Sequence, residues 1–389
     1  MIDAFSITDP LPSGTTVLEA SAGTGKTYAI AALAARFLAE GRSSIGDLLL
    51  VTFSRAATAE LRSRVRERIQ GSAAALRRFG REGRCPEDAV DRLLCHGDAD
   101  EVSERAARLE EALQRFDRAT IMTTHEFCHG MIRGLGVLAP QEPQSRLIED
   151  LAPLADEAAA DVYLRRYAFD RRVPPFRWEG GRDEDDPGAR TIARDAIALE
   201  AVLGPPEAIG SIGERVAFAR EVRAEVDARK RRLRLYSFDD QLTRLRDALH
   251  DPVTGELARR RLAERFPVVL IDEFQDTDPV QWQVIRAAFG REGHGTLVLI
   301  GDPKQAIYAF RGADVHTYTA AARAATRRTT LTRNFRADRA VVDAVAGLFS
   351  GVLLGAEIDV PPVEAHHGAP RLAAEPGTPW ASGVQLRVV

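Results

Sequence analysis

Eight residues set the terms for this chain. Ala20-Ser21-Ala22-Gly23-Thr24-Gly25-Lys26-Thr27 lies between the strand-like run Thr16-Val17-Leu18-Glu19 and a segment with Ile30, Leu33, Phe37 and Leu38 on one helical face. A strand, a glycine turn and a helix in that order predict a parallel α/β sheet, because the helix carries the chain back before the next strand can pair. Gly23 and Gly25 allow backbone N–H groups to close around phosphate oxygens, and the helix N-terminus adds its dipole. Lys26 can then reach the β/γ-phosphates and Thr27 can ligate Mg²⁺, so the pattern asks for ATP with Mg²⁺. It departs from GxxxxGK[ST] only at Ala20.

A second segment supplies what the loop lacks. Val268-Val269-Leu270-Ile271 reads as a buried parallel strand, and Asp272-Glu273-Phe274-Gln275-Asp276 follows it. Ligands of open α/β sheets bind beyond the carboxyl ends of the strands. Asp272 is expected to hold Mg²⁺ with Thr27, and Glu273 to polarise the attacking water. The competing reading, an acidic helix cap, suits Asp276 or Asp278. Gly301-Asp302-Pro303-Lys304-Gln305 closes another apolar strand; Gln305 can sense a γ-phosphate, or the segment is a polar turn. Thr332-Arg333-Asn334-Phe335-Arg336 offers an arginine for the transferring phosphoryl group, although a solvated arginine fits as well. Phe335 reads as core or as a stacking ring. Thr52-Phe53, Thr124-His125 and Tyr308-Ala309-Phe310-Arg311 place aromatics beside polar groups past strand ends, as single-stranded nucleic acid grooves do. Taken singly, each of these rings reads as core before it reads as a DNA contact, and His366 and His367 have no supporting context.

Composition adds boundaries. No apolar run approaches the ~18–20 residues of a membrane span, and Met1-Ile2-Asp3-Ala4-Phe5 has no secretory pattern. Cys85, Cys95 and Cys128 lack zinc-site spacing, which with their odd number predicts a reduced, cytoplasmic setting. A net charge of −4 does not announce nucleic acid, although a groove can be locally basic. Lysine occurs only at Lys26, Lys230 and Lys304, while the other 50 basic residues are arginine. Two of the three lysines fall in the motifs above, where a compact ammonium differs from a guanidinium.

Periodicity predicts helices over 26–40, 56–70, 279–289, 314–325 and 337–349, and strands over 48–53, 120–123, 266–271, 297–301 and 329–331. Residues 71–118 read as charged and helical with interruptions, and 132–235 as an inserted helical region. The tail is rich in proline and glycine and ends on the strand-like 384–389.

Taken together, Glu19 to Thr27, Val51-Thr52-Phe53 with Ala56-Ala57-Thr58-Ala59-Glu60-Leu61-Arg62, Thr124-His125-Glu126-Phe127-Cys128, Asp272 to Asp276, Gly301 to Tyr308, and Asn334-Phe335-Arg336 resemble the superfamily 1 helicases of the UvrD/Rep type. The Glu-Ala-Ser-Ala-Gly-Thr-Gly-Lys-Thr form, Phe238-Asp239-Asp240 and Asp276-Thr277-Asp278-Pro279 are most similar to the RecB family within that group. The resemblance implies an α/β fold: a RecA-like P-loop NTPase parallel sheet with an inserted helical subdomain and the start of a second RecA-like domain. Residues 1–131 and 236–325 would form the first motor domain, 132–235 the inserted DNA-binding subdomain, and 326–389 the truncated beginning of the second. It further implies ATP-driven 3′→5′ translocation on single-stranded DNA in double-strand break repair and recombination. Duplex-end DNA and RecC-like and RecD-like subunits would be the partners, with no membrane. By the family's pattern residues 20–27 bind the nucleotide, Gln305 and Arg336 read its γ-phosphate, and Phe335 stacks on adenine. Thr52, Phe53, Thr124, His125, Tyr308 and Phe310 line the DNA track, with Arg311 coupling it to the nucleotide.

The departures carry their own expectations. No glutamine precedes the phosphate loop, the inserted region is short for the RecB family, and the later helicase motifs and an Asp/Glu-x-Lys nuclease cluster are not found. A fragment or truncated homologue that unwinds duplex DNA poorly is therefore expected. A UvrD- or AddA-like helicase, or a catalytically incomplete module that binds ATP and single-stranded DNA, are the alternatives.

Overall fold

The structure is a computed structural model that describes residues 2–139, 145–168, 174–179, 187–198, 210–291, 293, 295–306, 315–349, 351–354, 358–369 and 371. The chain divides into two compact units, one formed by Met1–Met131 with Leu249–Val389 and the other by Ile132–Ala248.

The first unit opens with β1 (Asp3–Ala4), β2 (Gly14–Glu19), α1 (Lys26–Ala39), β3 (Leu48–Thr52), α2 (Arg55–Glu82), α3 (Ala89–Leu94), α4 (Ala99–Gln114) and β4 (Thr120–Thr123). Helix α5 (Thr124–Leu135) leads into the second unit, which holds β5 (Arg146–Leu147), α6 (Ala152–Tyr163), α7 (Ala189–Ala196), α8 (Gly210–Leu233) and β6 (Leu235–Tyr236). Helix α9 (Phe238–His250) leads out of it. The first unit resumes with α10 (Gly255–Arg265), β7 (Val268–Ile271), α11 (Pro279–Phe289), β8 (Thr296–Gly301), α12 (Val315–Ala324) and β9 (Arg327–Thr330). Beyond it come β10 (Arg333–Asp338), α13 (Arg339–Phe349), the short pair β11 (Leu353–Leu354) and β12 (Ile358–Asp359), and β13 (Glu364–His367).

Seven strands form one parallel sheet in the order β1-β9-β2-β8-β7-β3-β4. Both faces are covered, which explains the unbroken apolar runs. Leu18, Leu48, Leu50, Val268, Leu270, Val298 and Ile300 pack with α1, α2 and α4 in one core. Their neighbours Val17, Leu49, Val51, Val269, Ile271, Leu297 and Leu299 are equally buried on the alternate face.

Helix α1 is buried almost all round, from Ala29 to Ala39, rather than on the single face that its larger residues suggest. Its many alanines let neighbours approach closely. Even Arg36 is buried, because its guanidinium donates to the carbonyls of Ile7 and Asp9 at 2.6 Å each and pairs with Glu40 at 2.7 Å. Helix α2 runs to Glu82, past the expected stop at 70. Gly71 faces open space, and apolar packing through Ser72, Ala73 and Leu76 carries the helix across it until Gly83 turns left-handed at φ +67°. Asp278 caps α11 by accepting from the Gln281 N–H at 2.8 Å; Asp276 caps nothing and is buried.

Other boundaries also differ from the sequence reading. Arg327–Thr330, expected to open a second domain from 326, is a strand of the seven-stranded sheet, paired in parallel with β1 and β2. Its threonines are buried there, so the sheet's own packing claims it. Residues 333–338 are extended, and α13 begins at Arg339 rather than at 337.

The second unit has its own core, in which Tyr163, Tyr167, Phe176, Trp178 and Phe218 meet edge-on or tilted at 5.1–6.3 Å. Within it Lys230 bridges Asp227 at 3.0 Å and Asp240 at 2.8 Å, joining the end of α8 to the start of α9. The unit extends to Ala248, beyond the expected 235, and so takes in most of α9, which Lys230 of α8 holds through Asp240. Among the described residues, no helix is long and apolar enough to cross a membrane.

Candidate active site

Because every strand of the sheet runs the same way, the predicted segments emerge at one edge. The loop 20–27 follows β2, Asp272 follows β7, Asp302 follows β8, Thr52 ends β3 and Thr124 follows β4. Backbone bonds tie them in: the Ala20 N–H donates to Gly301 O at 3.0 Å and the Asp272 N–H to Val51 O at 2.8 Å.

The loop has the conformation its glycines predict. Gly23 and Gly25 have φ of +81° and +87°, a region costly for any residue with a Cβ. Gly25 is the N-cap of α1 and brings no side chain to its N–H groups, which leaves that end open to an anion. Ala20 has no positive φ and is buried, so alanine meets the requirement of that position. Thr24 turns inward, its hydroxyl donating to Ser21 O at 2.7 Å.

Lys26, at the start of α1, bridges the two carboxylates, at 3.3 Å from Asp272 Oδ1 and with a closer contact to Glu273. The side chains of Lys26 and Asp272 are only 18% and 12% exposed. Burial pulls the Lys26 ammonium pKa down, but the charges and hydrogen bonds of Asp272 and Glu273 outweigh it and leave the pKa raised. Burial pushes the Asp272 carboxyl pKa up, against Lys26 and with the help of Glu273. Two carboxylates sharing one ammonium make an electronegative site that can accept a cation. Glu273 is one of only two described non-glycine residues with positive φ, at +53°. Such backbone costs about 1–3 kcal/mol and clusters at functional sites.

A hydrogen-bonded relay extends from this pair. Gln275 Nε2 donates to Glu273 Oε2 at 2.7 Å, while its carbonyl oxygen accepts from the Asp302 N–H at 3.0 Å. Asp302 in turn receives Gln305 Nε2 at 2.8 Å and the Lys304 ammonium at 2.7 Å. Gly301 makes this approach possible, since a Cβ there would lie 2.6 Å from Gln275 Oε1. The relay could have been suspected from the glycine before Asp302, but its partner was not legible.

The segment after β9 lies on the loop. Phe335 N–H donates to Gly23 O at 2.8 Å and Asn334 Nδ2 to Ala22 O at 3.0 Å. Asn334 Oδ1 also receives the N–H groups of Arg336 and Ala337, both at 2.9 Å. A Cβ at Gly23 would come within 2.7 Å of Arg336 Cβ, and one at Gly25 within 3.7 Å of the Phe335 ring. Arg336 is exposed and Phe335 is 47% exposed, so neither is core. An apolar cavity of about 540 Å³ opens beside Ser21, Ala22 and Gln305 under α13.

The expected DNA-facing residues divide. Thr52 is buried with no hydrogen-bond partner for its hydroxyl among the described residues. Phe53 and Thr124 are half-buried at the same edge. His125 is half-buried too; burial pulls its imidazole pKa down and Glu126 opposes the shift. Tyr308, Phe310 and Arg311 lie outside the described residues, as do Asp314 and the strand-like 384–389. Sequence reasoning gave no individual role to Asn334, His366 and His367, nor to Glu19, whose carboxylate is buried and held by Arg328 of β9 at 2.5 Å.

A family model described as the UvrD/REP helicase N-terminal domain matches residues 5–326. The chain belongs to the UvrD/REP helicase family. Among its relatives is the RecBCD enzyme subunit RecB of Mycobacterium tuberculosis H37Rv, 44% identical over all of this chain and 34% of its own length. The same subunit of Mycolicibacterium smegmatis is 44% identical over 98% of this chain and 33% of its own length. That of Escherichia coli K12 is 29% identical over 90% and 39%. The chain thus spans about a third of the length of these UvrD/REP relatives. The UvrD/REP fold agrees with the α/β RecA-like sheet expected from the sequence.

Proposed function

We propose that this chain is the ATP-hydrolysing motor portion of a RecB-type helicase. It would move 3′→5′ on single-stranded DNA at duplex ends during double-strand break repair, in the cytoplasm with RecC-like and RecD-like partners. The observation that carries the reading is the gathering of Lys26, Asp272, Glu273, Gln305 and the 334–336 segment around one phosphate-type loop.

Each residue has a physical task in that reading. The loop N–H groups and Lys26 hold the phosphates. Asp272 and the Thr27 hydroxyl would hold Mg²⁺, which when bound neutralises phosphate charge and favours in-line transfer. Glu273, held between the Lys26 ammonium and the Gln275 amide, orients the attacking water. Gln305 senses the γ-phosphate, and the relay through Asp302 and Gln275 passes its position to Glu273. Arg336 faces the transferring group, and Phe335 forms a wall for the base. Phe53, Thr124 and His125, on the same edge, meet the DNA backbone with the buried Thr52 behind them, and Tyr308, Phe310 and Arg311 are assigned to that track by family pattern. The second unit serves as the inserted DNA-binding subdomain, and residues from about 332 onward begin the second motor domain.

ATP hydrolysis measured with and without single-stranded DNA tests this. Stimulation by DNA that disappears in Glu273→Gln, with ATP binding retained, is the expected result. Nucleotide binding with no hydrolysis, here and in a chain extended at its C-terminus, would refute the motor and favour a binding module.

A further inference from the structure

Strands β10 and β13 pair in parallel, but the register breaks at the site. Arg333 and Asn334 oppose Glu364 and Ala365, and pairing resumes with Asp338 opposite His367. Phe335, Arg336 and Ala337 therefore bulge out opposite the single residue His366. Bulges re-aim side chains beside active sites, and this one aims at the phosphate loop.

Three residues from the β13 side hold it. The His366 ring stacks on Phe335 with centroids 4.8 Å apart and planes 39° from parallel. His367 Nε2 donates to Phe335 O at 3.1 Å, and its ring meets His366 edge-on at 4.9 Å. Arg371 Nη2 donates to Arg336 O at 2.5 Å while its Nε and N–H hold the Asp338 carboxylate at 2.5 and 2.8 Å. The bulge is thus gripped from the loop side by Gly23 and Ala22, and from the far side by this trio.

We propose that His366, His367 and Arg371 are positioning residues that brace the Phe335–Arg336 bulge against the phosphate loop and so set the grip on the base of the nucleotide. In this reading the histidines hold no phosphate; they fix the ring and carbonyl of Phe335, the residue that meets the base. An exposed ring without a backing partner samples other rotamers, and a bulge without its far-side bonds loses its aim. This rests on the reading of Phe335 as a wall for the base.

The test compares ATP with inorganic tripolyphosphate, which engages the loop but has no base. Dissociation constants are measured by calorimetry on the full chain for His366→Ala, His367→Ala, the conservative His366→Phe and His367→Gln, and Phe335→Ala. The alanine variants are expected to weaken ATP roughly fivefold while leaving tripolyphosphate unchanged, because Asn334 and Arg371 still hold the Arg336 backbone. Phenylalanine at 366 and glutamine at 367 should restore ATP, because a ring and an N–H donor respectively return. Unchanged tripolyphosphate binding also reports an intact loop, which separates the effect from misfolding. If Phe335→Ala weakens ATP and the histidine variants do not, the brace is refuted and the base-wall reading stands. If Phe335→Ala also leaves ATP unchanged, both fall. Equal losses for the two ligands overturn the brace as well.

Discussion

Replacing Asp276 with asparagine should stabilise the protein at neutral pH and do nothing in acid. Asp276 is 7% exposed, and its Oδ1 has no hydrogen-bond partner among the described residues. Burial, with the negative charge of Glu273 added, pushes its carboxyl pKa up to about 6, and Lys26 only partly opposes this. An unfolded aspartate titrates near ~3.9. Between those values the folded state binds more protons than the unfolded one, so stability falls as pH rises through the window and stays lower above it. A shift of about two units corresponds to about 3 kcal/mol at most. An asparagine side chain would keep the shape without the charge. Urea unfolding of both proteins at pH 4 and pH 7.5, without nucleotide or divalent cations, reads the difference. The expected gain for Asp276→Asn is about 2–3 kcal/mol at the higher pH and near zero at the lower. A difference independent of pH, or a loss at pH 7.5, would show that Asp276 is ionised at little cost and that the reasoning is wrong.

Two further outcomes follow from the site. Lys26→Ala removes the ammonium shared by Asp272 and Glu273 and should weaken ATP at least about a hundredfold, as a charge-assisted phosphate contact of several kcal/mol implies; unchanged affinity in a fluorescent-nucleotide titration would sink the loop assignment. Gly301→Ala drives a methyl group into Gln275 Oε1, and should cost about 1–3 kcal/mol in urea unfolding and reduce DNA-stimulated hydrolysis more than ATP binding; an unaltered hydrolysis rate would mean that the Gln275 relay carries nothing.

Much of this was legible because the signals are local. The strand–loop–helix at 14–39 and the apolar strands 268–271 and 296–301 follow from residue type and period alone. The same holds for the Asp278 cap. What escaped depends on partners far along the chain. The helix read over 56–70 runs on, because the α4 packing that carries α2 across Gly71 cannot be seen from the α2 sequence. Thr329-Thr330-Leu331 reads as the opening strand of another unit until Arg328 is found on the buried Glu19 and both threonines inside the first sheet. Gln275 reads as a link from the site to neighbouring motifs, but its partner is not visible: its amide oxygen accepts from Asp302, 27 residues further on. The bulge at Phe335 needs His366, and no period in either strand predicts a register break. The three lysines gave a real hint: each sits between or beside carboxylates, where a point charge suits the space.

The parallel sheet separates chemistry from cargo. Asp272 is delivered to Val51 by the β3–β7 ladder, and that ladder's register depends on side chains inside the sheet, not on the residues that intervene. The chain departs after β4 and α5, builds a unit with a core of its own, and returns to the same ladder through α10. Lengthening, shortening or exchanging that excursion leaves the β3–β7 register, and with it the placement of Asp272, as it is. The excursion can therefore be reshaped without disturbing the ladder it interrupts.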